Sequence, residues 1–524
     1  MLALDGSNTS DMMRNNPVAR DVARSVMSLS LRLKAFWKEG RSRHPVTPQS
    51  PASVFCPGRN CFDVMKAGRA SVLVDGCDYF HHLESSLRQA RRSIMIIGWD
   101  FDGRLRLRPQ AGEEDSPRLG PLLRALVEAK PDLSVHILIW SVSVLHGPSA
   151  IAPALFGSDW QDHPRIHLKF DMHHPFYGSH HQKIVCIDGA VAFVGGMDLT
   201  VGRWDTPEHL ADDPRRIDCD GEPYPPVHDV QMVFDGRAAA AICRIAAERW
   251  HGATGELPDS AAAECNQRGG GPWPDELRPD FRDAPIAIAR TEPAYAGRSE
   301  IHESSTQAID MIMAAERSIY IEAQYLTAKA IGAALSRRLK ASKGPDIVIV
   351  MTQESRGLLE RLAMSENRDR LLRRLARADR FGRLRVFYPV VPRESGGTVE
   401  VLVHAKLIVV DDRMIRIGSS NLNNRSIGLD TECDVAIEAG GSEDRRAIAG
   451  IRNRLLAEHL DCSANEVDAA TKAAGLAVAV DRLNQKPRGL RPFDVGRSGA
   501  PFYSLPGTRF LDPVRMFRLP WPFR

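Results

Sequence analysis

No apolar stretch in this 524-residue chain approaches the roughly 20 residues needed to cross a bilayer; the longest, such as Ser93–Gly98 and Ala238–Cys243, stop at six. No transmembrane helix is expected. The first 49 residues lack the apolar core and small-residue cleavage site of a secretory leader and carry eight Lys or Arg against four acids, which argues against Sec export. Within them, Val18–Trp37 could form a basic amphipathic helix on an anionic membrane, although a solvated tail is the plainer reading. Charge of one sign is also scarce. With 69 Lys and Arg against 66 Asp and Glu, the net charge is only +3, so the dominating basic field of a dedicated nucleic-acid binder is missing. Cysteine is sparse, odd in number and scattered: nine residues placed singly point to free thiols in a reducing compartment and not to a disulfide framework. Only Cys56 and Cys61 lie close together, and with no second pair nearby no zinc site is expected there.

What remains is the composition of a globular protein, 43% hydrophobic and 26% charged. Its length fits two to four units at about 100–200 residues each. Internal similarity narrows that range. Ala90-Arg-Arg-Ser-Ile-Met-Ile96 recurs as Ala315-Glu-Arg-Ser-Ile-Tyr-Ile321, in each case as a helix passing into a buried strand. Farther on, His181-Gln-Lys183 with Asp188 recurs as His404-Ala-Lys406 with Asp411. Small-residue turns follow at Gly195-Gly-Met-Asp198 and Gly418-Ser-Ser-Asn421. Between these landmarks, β-rich runs such as Val135–Trp140 and Ile347–Met351 alternate with helical segments, as in an α/β sheet lobe. The expected fold is α/β with two similar lobes, each a mixed sheet flanked by helices, packed as a pseudo-twofold pair around one site. The expected boundaries are a basic tail over 1–60, a first lobe over 61–268, a linker over 269–283, a second lobe over 284–462, and a C-terminal helix with a Pro/Arg-rich tail over 463–524. Ser463 with Glu466 reads as a capping box that opens that helix.

On a strand the side chains of His-x-Lys share one face, so imidazole and ammonium line one pocket while Gln182 and Ala405 point away. Two such segments supply two imidazoles and two ammonium groups around one space. One imidazole can attack phosphorus, the other can protonate the leaving alcohol, and the lysines can neutralise the nonbridging oxygens, without a metal. Ser419 and Asn421 are the expected donors to the same phosphate oxygens, with Gly196 and Asp198 at the matching places of the first copy. A working imidazole needs an acceptor on its other nitrogen, and Asp229 and Glu432 are the candidates. Asp188 and Asp411 are counted with the catalytic motif, although seven residues beyond each His a structural hydrogen-bonding role is the stronger expectation. His173, His174 and His180 are expected at the pocket rim, not as metal ligands.

At these residues the chain resembles the phospholipase D superfamily, whose pattern is His-x-Lys-x4-Asp-x6-Gly-Ser-x-Asn in two copies. The second copy here follows it throughout. The first, with Gly195-Gly-Met-Asp-Leu-Thr-Val-Gly-Arg-Trp-Asp-Thr206, is similar to the phospholipid-cleaving and transphosphatidylating branch. The likeness extends over roughly Val72 to Leu460 and includes Ile97-Gly-Trp-Asp100, Val227-His-Asp229, Glu248-Arg-Trp250 and Ile321-Glu-Ala-Gln-Tyr325. The family often has Trp where Val227 stands and Asn where Ala323 stands.

That resemblance implies hydrolysis of a glycerophospholipid headgroup ester to phosphatidic acid, with transfer to another alcohol as a second outcome. It also implies His181 as the nucleophile that becomes phosphohistidine and His404 as acid, then base. No cofactor is implied. The expected partners are the glycerophospholipid and a peripheral membrane surface, not nucleic acid, with the chain as a monomer. A cytoplasmic or membrane-peripheral location is expected, with non-Sec secretion as the alternative. The rival readings are a cardiolipin synthase-like phosphatidyltransferase, a nuclease of the same superfamily and a noncatalytic lipid-binding protein.

Overall fold

Segments rich in Val and Ile become strands, while runs rich in Ala, Leu and Arg become helices, in line with their intrinsic preferences. The computed structural model describes residues 53–112, 114–141, 159–175, 177–258, 271–353, 358–493 and 512–515. The amphipathic tail and the first residues of the expected linker therefore lie outside the described residues. All described elements belong to the unit from Val54 onward.

One sheet orders its strands Arg69–Val74, Val230–Asp235, Val191–Gly195, Ile184–Ile187, Ser93–Gly98, Ser134–Trp140 and Ile166–Asp171. The other repeats that order with Pro285–Glu292, Glu432–Glu438, Met414–Gly418, Lys406–Val410, Ser318–Ala323, Asp346–Met351 and Leu384–Pro392. In each, the first five strands pair antiparallel and the last two join in parallel. Even the register is kept: Ile94 opposes Ile187 and Ile319 opposes Val410. The fold is thus α/β, built from two similar mixed sheets flanked by helices.

Alternation along the strands gives each sheet two apolar faces. The inner faces share one core that draws Met95, Ile184 and Met232 from the first sheet and Ile288, Leu407 and Val435 from the second. Helices Gly236–Thr254 and Ser442–Leu460 contribute to this inner layer. The outer face of the first sheet is covered by helices Asp75–Gln89 and Leu119–Ala129. That of the second is covered by Glu303–Ala314, Lys329–Lys340 and Leu358–Ala378.

Two segments depart from the expected boundaries. Asp63–Lys66 lies within the expected first lobe but pairs with Pro285–Ile288 at the edge of the second sheet. Gly489–Pro492, expected to be tail, pairs with Phe387–Val390 of that sheet. Each gives a strand flank the backbone partners that an open edge would lack. The capping box at Ser463 and Glu466 is formed and opens helix Ala464–Ala474.

Candidate active site

The two His-x-Lys segments leave their own sheets to reach the other half. His181 N–H donates to Thr431 O at 3.0 Å, and His404 N–H donates to His228 O at 2.7 Å. Leu402–Val403 runs parallel to Val227–His228 just before His404. The sheet strands begin only at Ile184 and Lys406, so both imidazoles precede the strand on which they were expected. Extended backbone still turns the intervening residue away: Gln182 donates to Glu432 O and accepts from Arg249, and Ala405 is fully buried.

This exchange crosses the orienting carboxylates. Glu432, from the second half, lies 3.0 Å from Nδ1 of His181, while Asp229, from the first, lies 2.7 Å from Nδ1 of His404. Each ring is thus fixed through Nδ1, leaving Nε2 for chemistry. Glu432 is held in turn by the hydroxyls of Ser419 at 2.5 Å and Ser426 at 2.6 Å. Asp229 has no such hydroxyl. It accepts from Val230 N–H at 2.8 Å, and it fits because residue 196 is glycine: a Cβ there would sit 2.2 Å from Asp229 Oδ1.

The lysines differ in their partners. Lys183 Nζ makes a 2.9 Å ion pair with Asp198, a carboxylate that also accepts from Trp99 N–H at 2.8 Å. At the place of Asp198 the second half has Asn421, and Lys406 instead donates to His404 O and to Gln324 Oε1 at 3.5 Å, with its Nζ 3.2 Å from His404 Nδ1.

Burial sets the electrostatics. His181 and His404 are both held well below the ordinary imidazole range, first by burial and then by nearby cations. Both lysines act on both rings, which puts the four groups in one electrostatic neighbourhood. Burial also brings Lys406 down to about 7, against the pull of Asp229. It pushes Glu432 and Asp229 up, which makes each a stronger acceptor for an Nδ1 proton. Arg203 lies outside both His-x-Lys motifs, so no motif spacing marks it. It is a third cation bearing on His404 and Lys406, and its Nε is buried without a hydrogen-bond partner.

Several sequence assignments need correction. Asp188 and Asp411 sit at left-handed turns beyond the strands and not in the pocket. The carboxylate of Asp188 accepts from the N–H groups of Arg91, Arg92 and Ser93, and that of Asp411 from those of Glu316, Arg317 and Ser318. The two landmarks of each repeat are therefore hydrogen-bond partners of one another. Of the four residues assigned to phosphate, Ser419 is committed to Glu432, Asp198 to Lys183, and Gly196 makes room for Asp229. Asn421 has its Oδ1 buried without a partner, but that oxygen only accepts, so a phosphate oxygen could be met only by its Nδ2 amide. His180, expected at the rim, is buried against Asp171 at 3.2 Å, and burial depresses its pKa to about 3.

Comparison with known proteins follows the same division into halves. Residues 86–269 match the family described as Phospholipase D, and residues 308–447 match the one described as Cardiolipin synthase, PLD-like domain. The chain is 25% identical to "Phospholipase D1" of Saccharomyces cerevisiae, over 76% of this chain and 29% of that protein. It is 24% identical to "Phospholipase D gamma 2" of Arabidopsis thaliana, over 74% and 63%. It thus spans less than two thirds of the length of these curated relatives. A solved structure titled as phosphatidylserine synthase of Haemophilus influenzae Rd KW20 superposes with a TM-score of 0.51 at 14% identity, covering 75% of this chain and 87% of that one. With matching families in both halves and one topology written twice, the chain belongs to the phospholipase D superfamily.

Proposed function

We propose that this protein is a phospholipase D-type phosphodiesterase that hydrolyses the headgroup ester of a glycerophospholipid to phosphatidic acid through a phosphohistidine. The observation that carries this reading is the crossed pair of dyads, His181 on Glu432 and His404 on Asp229, with Lys183, Lys406 and Arg203 beside them. Nε2 of neutral His181 attacks phosphorus and the bond to the headgroup oxygen breaks, while His404, which must enter this step as the imidazolium braced by Asp229 and favoured by the bound diester's negative charge, gives that oxygen its Nε2 proton. His404 then takes a proton from water, whose oxygen attacks phosphorus and releases His181. The cations offset the charge that grows on the nonbridging oxygens. The Nδ2 amide of Asn421 is the neutral donor for them, and a membrane surface presents the lipid. The half-burial of His181, whose side chain keeps 17% of its exposure against 7% for His404, favours it as the nucleophile facing the entering lipid.

A second reading, phosphatidyl transfer to an alcohol, follows from the same intermediate and is favoured by the cardiolipin synthase description over residues 308–447. The two are separated by products. Phosphatidylcholine in water yields phosphatidic acid in the first case, whereas phosphatidylglycerol as donor and acceptor yields cardiolipin in the second. His181→Ala and His404→Ala are each expected to lower turnover by on the order of 10⁴-fold, as for residues that act as one unit. An acid-labile phosphoryl adduct on His181, found by mass spectrometry after rapid quenching, is the direct test. Turnover that survives both substitutions overturns the proposal.

A further inference from the structure

Behind His404 lies a second cluster of ionisable groups that the proposed chemistry does not use. Asp75, His209, His228 and Glu458 each direct one ligand-type atom to a common point, with all four atoms within 4.8 Å of one another. His209 Nε2 is 2.9 Å from Glu458 Oε1 and 3.6 Å from Asp75 Oδ2. His228 Nδ1 is 2.9 Å from both Asp75 Oδ1 and Glu458 Oε1. Tetrahedral zinc with bonds of about 2.0–2.2 Å needs ligand atoms roughly 3.4 Å apart, so the three 2.9 Å separations must open by about half an ångström to admit it.

The outer side of each ring fixes its tautomer. His209 Nδ1 bonds Asp205 at 2.9 Å, and His228 Nε2 bonds Glu322 at 2.9 Å. A carboxylate on the far nitrogen is the arrangement that orients metal-ligating histidines. It leaves both inner nitrogens facing two carboxylates. Asp75 Oδ2 is buried with no hydrogen-bond partner, and His228 Nδ1, though 2.9 Å from two carboxylate oxygens, is poorly aligned with both. Charge gives a second, independent argument: Asp75, Asp205, Glu322 and Glu458 are all buried, and only Asp205 meets an arginine, Arg216 at 2.9 Å. Buried carboxylates in such excess need cations among them, either a divalent ion or the two histidines themselves, which these carboxylates hold above the ordinary imidazole range. Of the four residues, Glu458 also lines an open cavity of about 740 Å³ together with Cys77, His81 and Arg454, which brings solvent to one side of the cluster.

We propose that Asp75, His209, His228 and Glu458 bind one zinc-class divalent ion with a structural role, which revises the expectation of a metal-free protein. The ion ties helix Asp75–Gln89, the loop bearing His209 and helix Ser442–Leu460 to the Val227–Asp229 segment. That segment carries the orienting carboxylate of His404 and binds His404 N–H through His228 O. The ion takes no part in the phosphoryl steps.

The test is the metal content of the full-length protein purified from zinc-supplemented cells. About one equivalent per chain is expected, retained in His181→Ala and lost in Glu458→Gln. Stripping with 1,10-phenanthroline should lower the melting temperature, and adding Co²⁺ should restore it with the visible bands of four-coordinate cobalt. If Glu458→Gln does not fold, His209→Gln serves in its place, and the cobalt spectrum of the wild type decides coordination by itself. Folded wild-type protein with less than a tenth of an equivalent of metal and no Co²⁺ uptake overturns the proposal in favour of a network filled by protons. Metal kept by both ligand variants overturns it equally. Neither readout depends on turnover, so failure here and failure of the phosphodiesterase reading are separable.

Discussion

Gly196→Ala tests whether the Asp229–His404 dyad is held as tightly as its geometry implies. A methyl group at residue 196 would sit 2.2 Å from Asp229 Oδ1 and 2.7 Å from Oδ2. Carbon and oxygen need at least about 1 Å more than that, so the carboxylate must move by about that amount. It is 1% exposed and bounded by its own bonds to Val230 N–H and His404 Nδ1, so the movement falls on the 2.7 Å contact with the ring. A misplacement of about 1 Å at a reacting group costs about 10²-fold, or about 2.7 kcal/mol of transition-state stabilisation. The expected outcome is a kcat on phosphatidylcholine lowered about 100-fold with KM little changed, because the substitution touches no substrate contact. Circular dichroism and the melting temperature report whether the fold survives. Gly202→Ala is the control: it also strains a glycine turn, at φ 71°, but a Cβ there meets nothing within 4 Å. A folded Gly196→Ala enzyme with kcat within twofold of wild type would refute the reasoning.

Three further outcomes follow from the same geometry. Ser419→Ala leaves Glu432 with one hydroxyl and Cys433 N–H without its 3.0 Å acceptor, so kcat should fall about 10- to 100-fold at nearly constant KM; a raised KM would instead make Ser419 a phosphate ligand. The pH profile of kcat/KM should already fall with rising pH below 6.5, as depressed His404 loses the proton it must donate, and steepen above about 7, where Lys406 loses the ammonium charge that steadies the phosphate. Lys406→Arg, which keeps its charge at any such pH, should move the alkaline fall upward, and an unchanged limb would assign it to another group. Asp188→Asn and Asp411→Asn should each cost about 1–2 kcal/mol of stability by thermal or denaturant unfolding with kcat per folded molecule unchanged, since each gives up part of a charge-assisted N–H cradle far from the pocket.

Much of this architecture was legible because duplication writes the same constraints twice. The two Arg-Ser-Ile segments and the two aspartates recur at fixed spacing because they bond one another, and a bond between distant segments preserves both ends. The α/β class followed from the alternation of buried strands and helices, whereas the strand order did not. The crossing of the dyads was not legible. Asp229 and Glu432 follow their own motifs in the chain, and only the exchange of extended segments between halves puts each against the other half's imidazole. Ser419 and Gly196 were misassigned for a related reason. A small residue in a turn can face a ligand or make room for a neighbour, and the difference lies in a contact with a residue 13 or 33 positions away. The cluster around His228 was hidden because its ligands are spread from Asp75 to Glu458 with no local spacing to mark them.

The departures from symmetry define two unlike halves around one phosphorus. Glutamate in the second half reaches His181 from a distance that leaves space for serine at 419, whose hydroxyl then steadies it. The shorter aspartate of the first half must bring its backbone closer to His404, and only glycine at 196 permits that approach. The same division governs the lysines. Asp198 offsets the charge of Lys183, whereas Asn421 leaves Lys406 without that counterion, beside the ring of His404. A cation with no carboxylate in direct ion-pair contact is the one that a phosphate gains most by meeting, so Lys406 should contribute more than Lys183 to binding the diester. If Lys183→Met raised KM more than Lys406→Met, with both proteins folded, the assignment of the two halves to different electrostatic tasks would be wrong.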